Sequence, residues 1–70
     1  MRNEIKIIAE FLKDLGELSY DFYSENSIEL REVSDDNFEK IIDFISDMEE
    51  RYGFMFQTFV MESSFVIVSL

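Results

Sequence analysis

Gly16 and Gly53 are the only glycines in the chain, and each closes a segment in which apolar residues recur every three or four positions. Glycine just past such a segment reads as a helix stop, because it enters the left-handed backbone region without a Cβ clash. The first segment, Asn3 to Leu15, sets Ile5, Ile8, Leu12 and Leu15 on one face, with Ala9 and Phe11 beside them. The second runs to about Tyr52 and aligns Phe38, Ile41, Ile42, Ile45, Met48 and Tyr52. Ser34 precedes it where an N-cap belongs, and Asp35 and Asp36 follow where the helix dipole favours negative charge.

After each glycine the apolar period shortens to two. ELSYDFYS sets Leu18, Tyr20 and Phe22 against Ser19 and Asp21. Beyond a polar turn at Glu25 and Asn26, SIELREVS sets Ile28 and Leu30 against Glu29 and Arg31. FMFQTFVM and FVIVSL repeat the hairpin at the end of the chain, with Ser63 and Ser64 at the turn. The order helix, strand, strand therefore occurs twice, and the halves align at a constant offset of 37 positions. Ile5 falls on Ile42, Ile8 on Ile45, Gly16 on Gly53, Phe22 on Phe59, Glu25 on Glu62 and Leu30 on Ile67. Residues 3–34 and 35–70 are either a duplicated unit or two units of similar patterning, and both origins give the same geometry.

The pattern predicts one α+β domain over residues 1–70, with order αββαββ. A four-stranded antiparallel sheet should carry both helices on one face, a circular permutation of the ferredoxin-like arrangement. The second strand of each unit is expected at the centre and the first at the edge, where LSYDFYS carries suitable charges and serines. Seventy residues lie near the lower size limit for a single hydrophobic core. No cysteine or histidine is present to supply disulfides or soft metal ligands. Stability must come from the 47% of residues that are hydrophobic, or from association.

The face of the sheet away from the helices should be polar at alternate positions. The first hairpin conforms, with Ser19, Asp21, Glu29 and Arg31 outward and Tyr23 and Val33 the apolar exceptions. Carried across the repeat, the same register turns Met55, Phe59, Phe65 and Ile67 toward the helices. Phe54, Phe56, Val60, Val66, Val68 and Leu70 are left on the open face, and a one-residue slip still leaves apolar residues pointing each way. Such a patch exceeds what monomers usually expose. Gln57, Thr58, Glu62 and two serines interrupt the run, which argues against a membrane span of roughly 20 apolar residues. A loop, a terminus or the sheet's own curl could cover the patch. The favoured cover is a second copy stacking sheet on sheet about a two-fold axis.

Sixteen acidic residues against six basic ones give a net charge of -10, which repels nucleic acid and anionic membranes and favours a basic protein partner. With neither histidine nor cysteine, acid-base and nucleophilic chemistry falls to carboxylates, lysines and tyrosines, and the serines stand among turn-formers. There is no Gly-rich phosphate loop. Glu39, Asp43 and Asp47 lack a loop to wrap a divalent ion. An enzyme is the least supported class, and no cofactor is implied. The opening MRNEIKIIAEF has no signal-peptide pattern, so a cytoplasmic location is expected.

The acidic residues themselves are ordered. At 100° per residue, Asp36, Glu39, Asp43, Asp47 and Glu50 fall within a sector of about 80° opposite the apolar stripe. The row spans roughly 21 Å, or one charge about every 5 Å, against about 3.4 Å along one strand of duplex DNA. Lys40 and Arg51 lie outside the sector, while Glu17, Glu25, Glu29 and Glu32 add charge on the first hairpin. Ordinary surface helices intersperse both signs. In size, charge and plan the chain resembles phage-encoded antagonists of host defence nucleases, including anti-CRISPR and antirestriction proteins. That resemblance implies a DNA mimic that inhibits a basic, nucleic-acid-binding target, with the row supplying phosphate-like charges. The alternative is a dimeric structural or adaptor module that binds through the apolar sheet face.

Overall fold

The computed structural model describes residues 2–16, 19–62 and 64–70. Glu17, Leu18 and Ser63, invoked for the first hairpin and the second turn, lie outside the described residues. Helix α1 spans Asn3–Leu15 and α2 spans Asp35–Tyr52. Gly16 and Gly53 end them with φ of 82° and 71°. An added Cβ at either glycine meets nothing within 4 Å, so the left-handed backbone, not crowding, is what requires glycine. Ser34 Oγ accepts the Asn37 N–H at 3.2 Å and caps α2, whereas α1 starts without a side-chain cap.

The strands are β1 (Tyr20–Ser24), β2 (Ser27–Arg31), β3 (Phe56–Val60) and β4 (Ser64–Ser69). They form one sheet in the order β1-β2-β4-β3, with every neighbouring pair antiparallel. The expected central and edge positions hold. Helix α2 carries the chain from β2 past β4 to the far edge, so β2 and β3 run parallel with β4 between them, a split βαβ unit.

One face of the sheet meets the helices in a single core. Ile5, Ile8 and Leu12 of α1, Ile41, Ile45 and Met48 of α2, Ile28 and Leu30 of β2, and Phe65 and Ile67 of β4 are all buried there. Burial of this set, at about 1.5–3 kcal/mol per large side chain, is the main force holding a domain without cysteine or histidine. Phe11 and Phe44 stack across the helix seam with ring centroids 3.9 Å apart, and Phe38 meets Phe65 edge-on at 5.0 Å.

The two halves are related about an axis between β2 and β4. Ile28 pairs with Ile67 and Leu30 with Phe65, and the offset of 37 exchanges these two pairs. Glu29 lies opposite Val66, its own counterpart, so this pair sits on the axis. The outer strands break the relation. In β1 the register shifts between Phe22 and Ser24, leaving Tyr23 as an extra residue, and Phe22 pairs with Ile28 on the helix side. Strand β3 has no such shift, and Phe59 pairs with Val66 on the open side.

That bulge overturns the expected facing of β3. Paired residues share a face, so Phe56, opposite Ser69, and Val60, opposite Phe65, lie on the helix side. Phe54 and Phe56 pack against the core, and Val60 remains 72% exposed. Met55 and Phe59, expected inward, are outward. In β4 the expectation stands: Phe65 and Ile67 face the helices, while Val66, Val68 and Leu70 alternate away from them.

Candidate binding surfaces

Helix α2 holds the acidic row because its opposite stripe is fixed in the core. Asp36, Glu39, Asp43, Asp47 and Glu50 are all exposed. Arg51 Nε reaches back one turn to Asp47 Oδ1 at 3.0 Å, so the row is not wholly uncompensated. Among the described residues, Asp36, Glu39, Asp43 and Glu50 make no ion pair. Glu49 stands off the row and accepts the Phe56 N–H at 3.1 Å, tying α2 to the start of β3.

Asp21 and Glu29 of the first hairpin do not extend this row. Asp21 and Glu29 are cross-strand neighbours on the open face, the opposite side of the sheet from α2. Arg31 bridges them, bonding Glu29 at 3.3 Å and also Asp21, and so removes the repulsion of two adjacent carboxylates. Two acids that the sequence reading did not use lie in the helix layer instead. Glu10 and Asp14 are exposed on α1, four positions apart on its polar side. The same helical period that revealed the α2 row marks them.

On the open face, polarity divides along the sheet. The β1–β2 side presents Asp21, Glu29 and Arg31; the β3–β4 side presents Met55, Phe59, Met61 and Leu70, which are 66%, 43%, 54% and 58% exposed. Val66 is only 5% exposed, flanked by Glu29 and Phe59 on its neighbouring strands. Val68 is half-buried. Of the six residues expected here, Val66, Val68 and Leu70 lie on this face, and Phe54, Phe56 and Val60 do not.

A polar knot closes one end of the sheet. Arg2 Nη1 donates to the Leu70 carbonyl at 2.6 Å, and its N–H donates to Glu25 O at 2.9 Å. Asn26 and Ser69 exchange bonds, with Ser69 N–H on Asn26 O at 2.7 Å and Asn26 Nδ2 on Ser69 O at 3.2 Å. The Ser69 hydroxyl donates to Glu4 Oε2 at 2.9 Å. A backbone hydrogen bond at Glu4 itself holds this carboxyl below its usual range. The Ser69 hydroxyl and the Arg2 charge add to the effect, against the opposing pull of burial. This cluster ties helix, turn and final strand together.

Open grooves flank α2. One, of about 500 Å3, lies between the helices and the start of β3 and includes Ile7, Phe44, Asp47, Arg51, Tyr52 and Phe54. Another, of about 370 Å3, lies under the second turn and includes Val33, Phe38, Val60 and Met61. Among the described residues, no group of three or more carboxylates is placed to hold a metal ion, and no helix is long and apolar enough to cross a membrane. No protein-family model, curated protein or solved structure matches the chain.

Proposed function

We propose that this protein is a non-enzymatic inhibitor that occupies a basic nucleic-acid-binding surface on a target protein. A phage anti-defence role against a nuclease of the anti-CRISPR or antirestriction kind, acting in the cytoplasm, fits that chemistry. The observation that supports the reading most is the exposed row of Asp36, Glu39, Asp43, Asp47 and Glu50 along α2, with one of its five carboxylates paired within the chain. A row whose rigid spacing approximates that of backbone phosphates presents charge without a cost of ordering it at binding. Asp21 and Glu29 stand apart from this contact, since they lie on the far face and are bridged by Arg31.

The experiment is competition between this protein and duplex DNA for a panel of purified basic nucleases, at low and high salt. Displacement of DNA should weaken steeply as salt rises. The Asp43→Asn/Asp47→Asn double replacement should lose about 0.4–2 kcal/mol of binding, as two exposed charge pairs are removed. Full retention of binding by that variant rejects the mimic.

A second reading, a structural or adaptor module, draws support from the exposure of Met55, Phe59, Met61 and Leu70 on one side of the open face. Apolar docking there should be insensitive to salt and sensitive to Val68→Lys.

A further inference from the structure

We propose that the free edge of β3 is a self-pairing edge. Two copies join β3 to β3 antiparallel, about a two-fold axis at Phe59, into one eight-stranded sheet. The proposal stands apart from the charge-mimic reading, since it uses neither α2's acidic row nor a target.

The backbone parity of the edge follows from two hydrogen bonds at its ends. Leu70 N–H donates to Met55 O and Met61 N–H to Ser64 O, both at 2.8 Å. Antiparallel ladders alternate, so Met55, Gln57, Phe59 and Met61 turn their amides and carbonyls toward β4. Phe56, Thr58 and Val60 turn theirs to the free edge. Glu49 already accepts the Phe56 N–H, leaving the N–H and C=O of Thr58 and Val60 as a two-residue template.

Among the described residues, Glu49 blunts this edge at Phe56, and Thr58 and Val60 stay open. Strand β1 has the charged Asp21 and the Tyr23 bulge. The sequence of β3, FQTFV, has no charge, no proline and no bulge. Of the sheet's two edge strands in a molecule of net charge -10, β3 is the one that itself carries no carboxylate. With the axis at Phe59, Thr58 of each copy exchanges both backbone bonds with Val60 of the other. Four new bonds form and Glu49 keeps its own. The two Phe59 rings become a direct non-hydrogen-bonded pair, the closest kind, on the open face. Val60, 72% exposed, gains a neighbour in Thr58 of the second copy.

The acidic groups that approach across this edge are Glu49, beside Phe56, and Glu62, just past the strand, which come together at each rim. The dimer should therefore tighten as salt rises, opposite to the response of a charge mimic.

The test is sedimentation of the full chain, with cross-linking in the same solutions. Wild type should run at twice its 8.4 kDa mass, more completely at higher salt. Thr58→Pro removes an N–H that points away from β4, so it should leave the circular dichroism unchanged and give a monomer. The chain has no cysteine. Phe59→Cys should form a disulfide dimer about ten times faster than Gln57→Cys, because only the Phe59 pair brings two Cα atoms within disulfide range. If Thr58→Pro fails to fold, that rate comparison decides. A monomeric wild type across the concentration series overturns the proposal, as does a dimer that Thr58→Pro leaves intact and Val68→Lys dissolves, or equal cross-linking rates.

Discussion

The two hairpins share a plan and differ by one residue. In the first, Tyr23 is extra, the edge strand bends, and Asp21 faces out beside Glu29 and Arg31. In the second, β3 keeps an unbroken register, and an uncharged edge and an outer face with exposed Met55, Phe59, Met61 and Leu70 around Gln57 remain. The central strands β2 and β4, by contrast, keep the offset through every pair. Constraint is therefore greatest where helices cover the sheet, and the halves diverge where only water or a partner meets it. A one-residue insertion is enough to change which side chains a strand shows.

The largest effects should come from the central strands, where the halves are alike. Leu30→Ala and Ile67→Ala remove equivalent, fully buried side chains. Each should cost about 2–5 kcal/mol in urea unfolding. A large inequality between them would show that one half dominates the core. Next, Ser34→Ala should cost about 1 kcal/mol, because α2 loses its cap. Arg2→Ala at the start of α1 removes no side-chain cap, and its effect should come through the Leu70 carbonyl instead.

A third variant copies the difference itself. One alanine inserted between Val60 and Met61 should loop out as Tyr23 does, keep Phe56 in the core and cost about 1 kcal/mol in lost ladder bonding. It should also abolish self-association. Deleting Tyr23 should leave Phe22 opposite Ile28 and make β1 as flat as β3. Amide hydrogen exchange of both edges reads the outcome.

The smallest effect is electrostatic. Glu4 titrates below its ordinary value, so its ionised form stabilises the fold. That contribution is fully present above the usual carboxylate range and is lost as pH falls through the lowered value. Glu4→Gln should differ from wild type at neutral pH and converge with it in acid. The second half has Ile41 at this position and no such dependence.

Helix ends, strand order and the helix-facing residues of β2 and β4 were legible because each rests on periodicity or on glycine. The facing of β3 was not. In YDFYS, Phe22 and Tyr23 are both aromatic, so alternation reads equally well with or without a bulge, and the repeat alignment passed the wrong phase to Phe59. The α2 row was legible as a face. Its partial neutralisation by Arg51 was hidden because a sector of angles ignores how far a guanidinium reaches. The separation of Asp21 and Glu29 from α2 follows from the sheet, whose polar side must be the one without helices. The bond from Glu49 to Phe56 depends on where β3 begins, which no local pattern states.

The Glu29–Val66 pair on the axis bears on how such a chain can diverge. In any assembly of two identical αββ units, the axial residue faces itself, so glutamate there sets two carboxylates side by side and valine sets two methyl groups. Joining the units in one polypeptide removes that constraint. Each half can then change this position alone, and one pole of the sheet can become charged while the other stays oily.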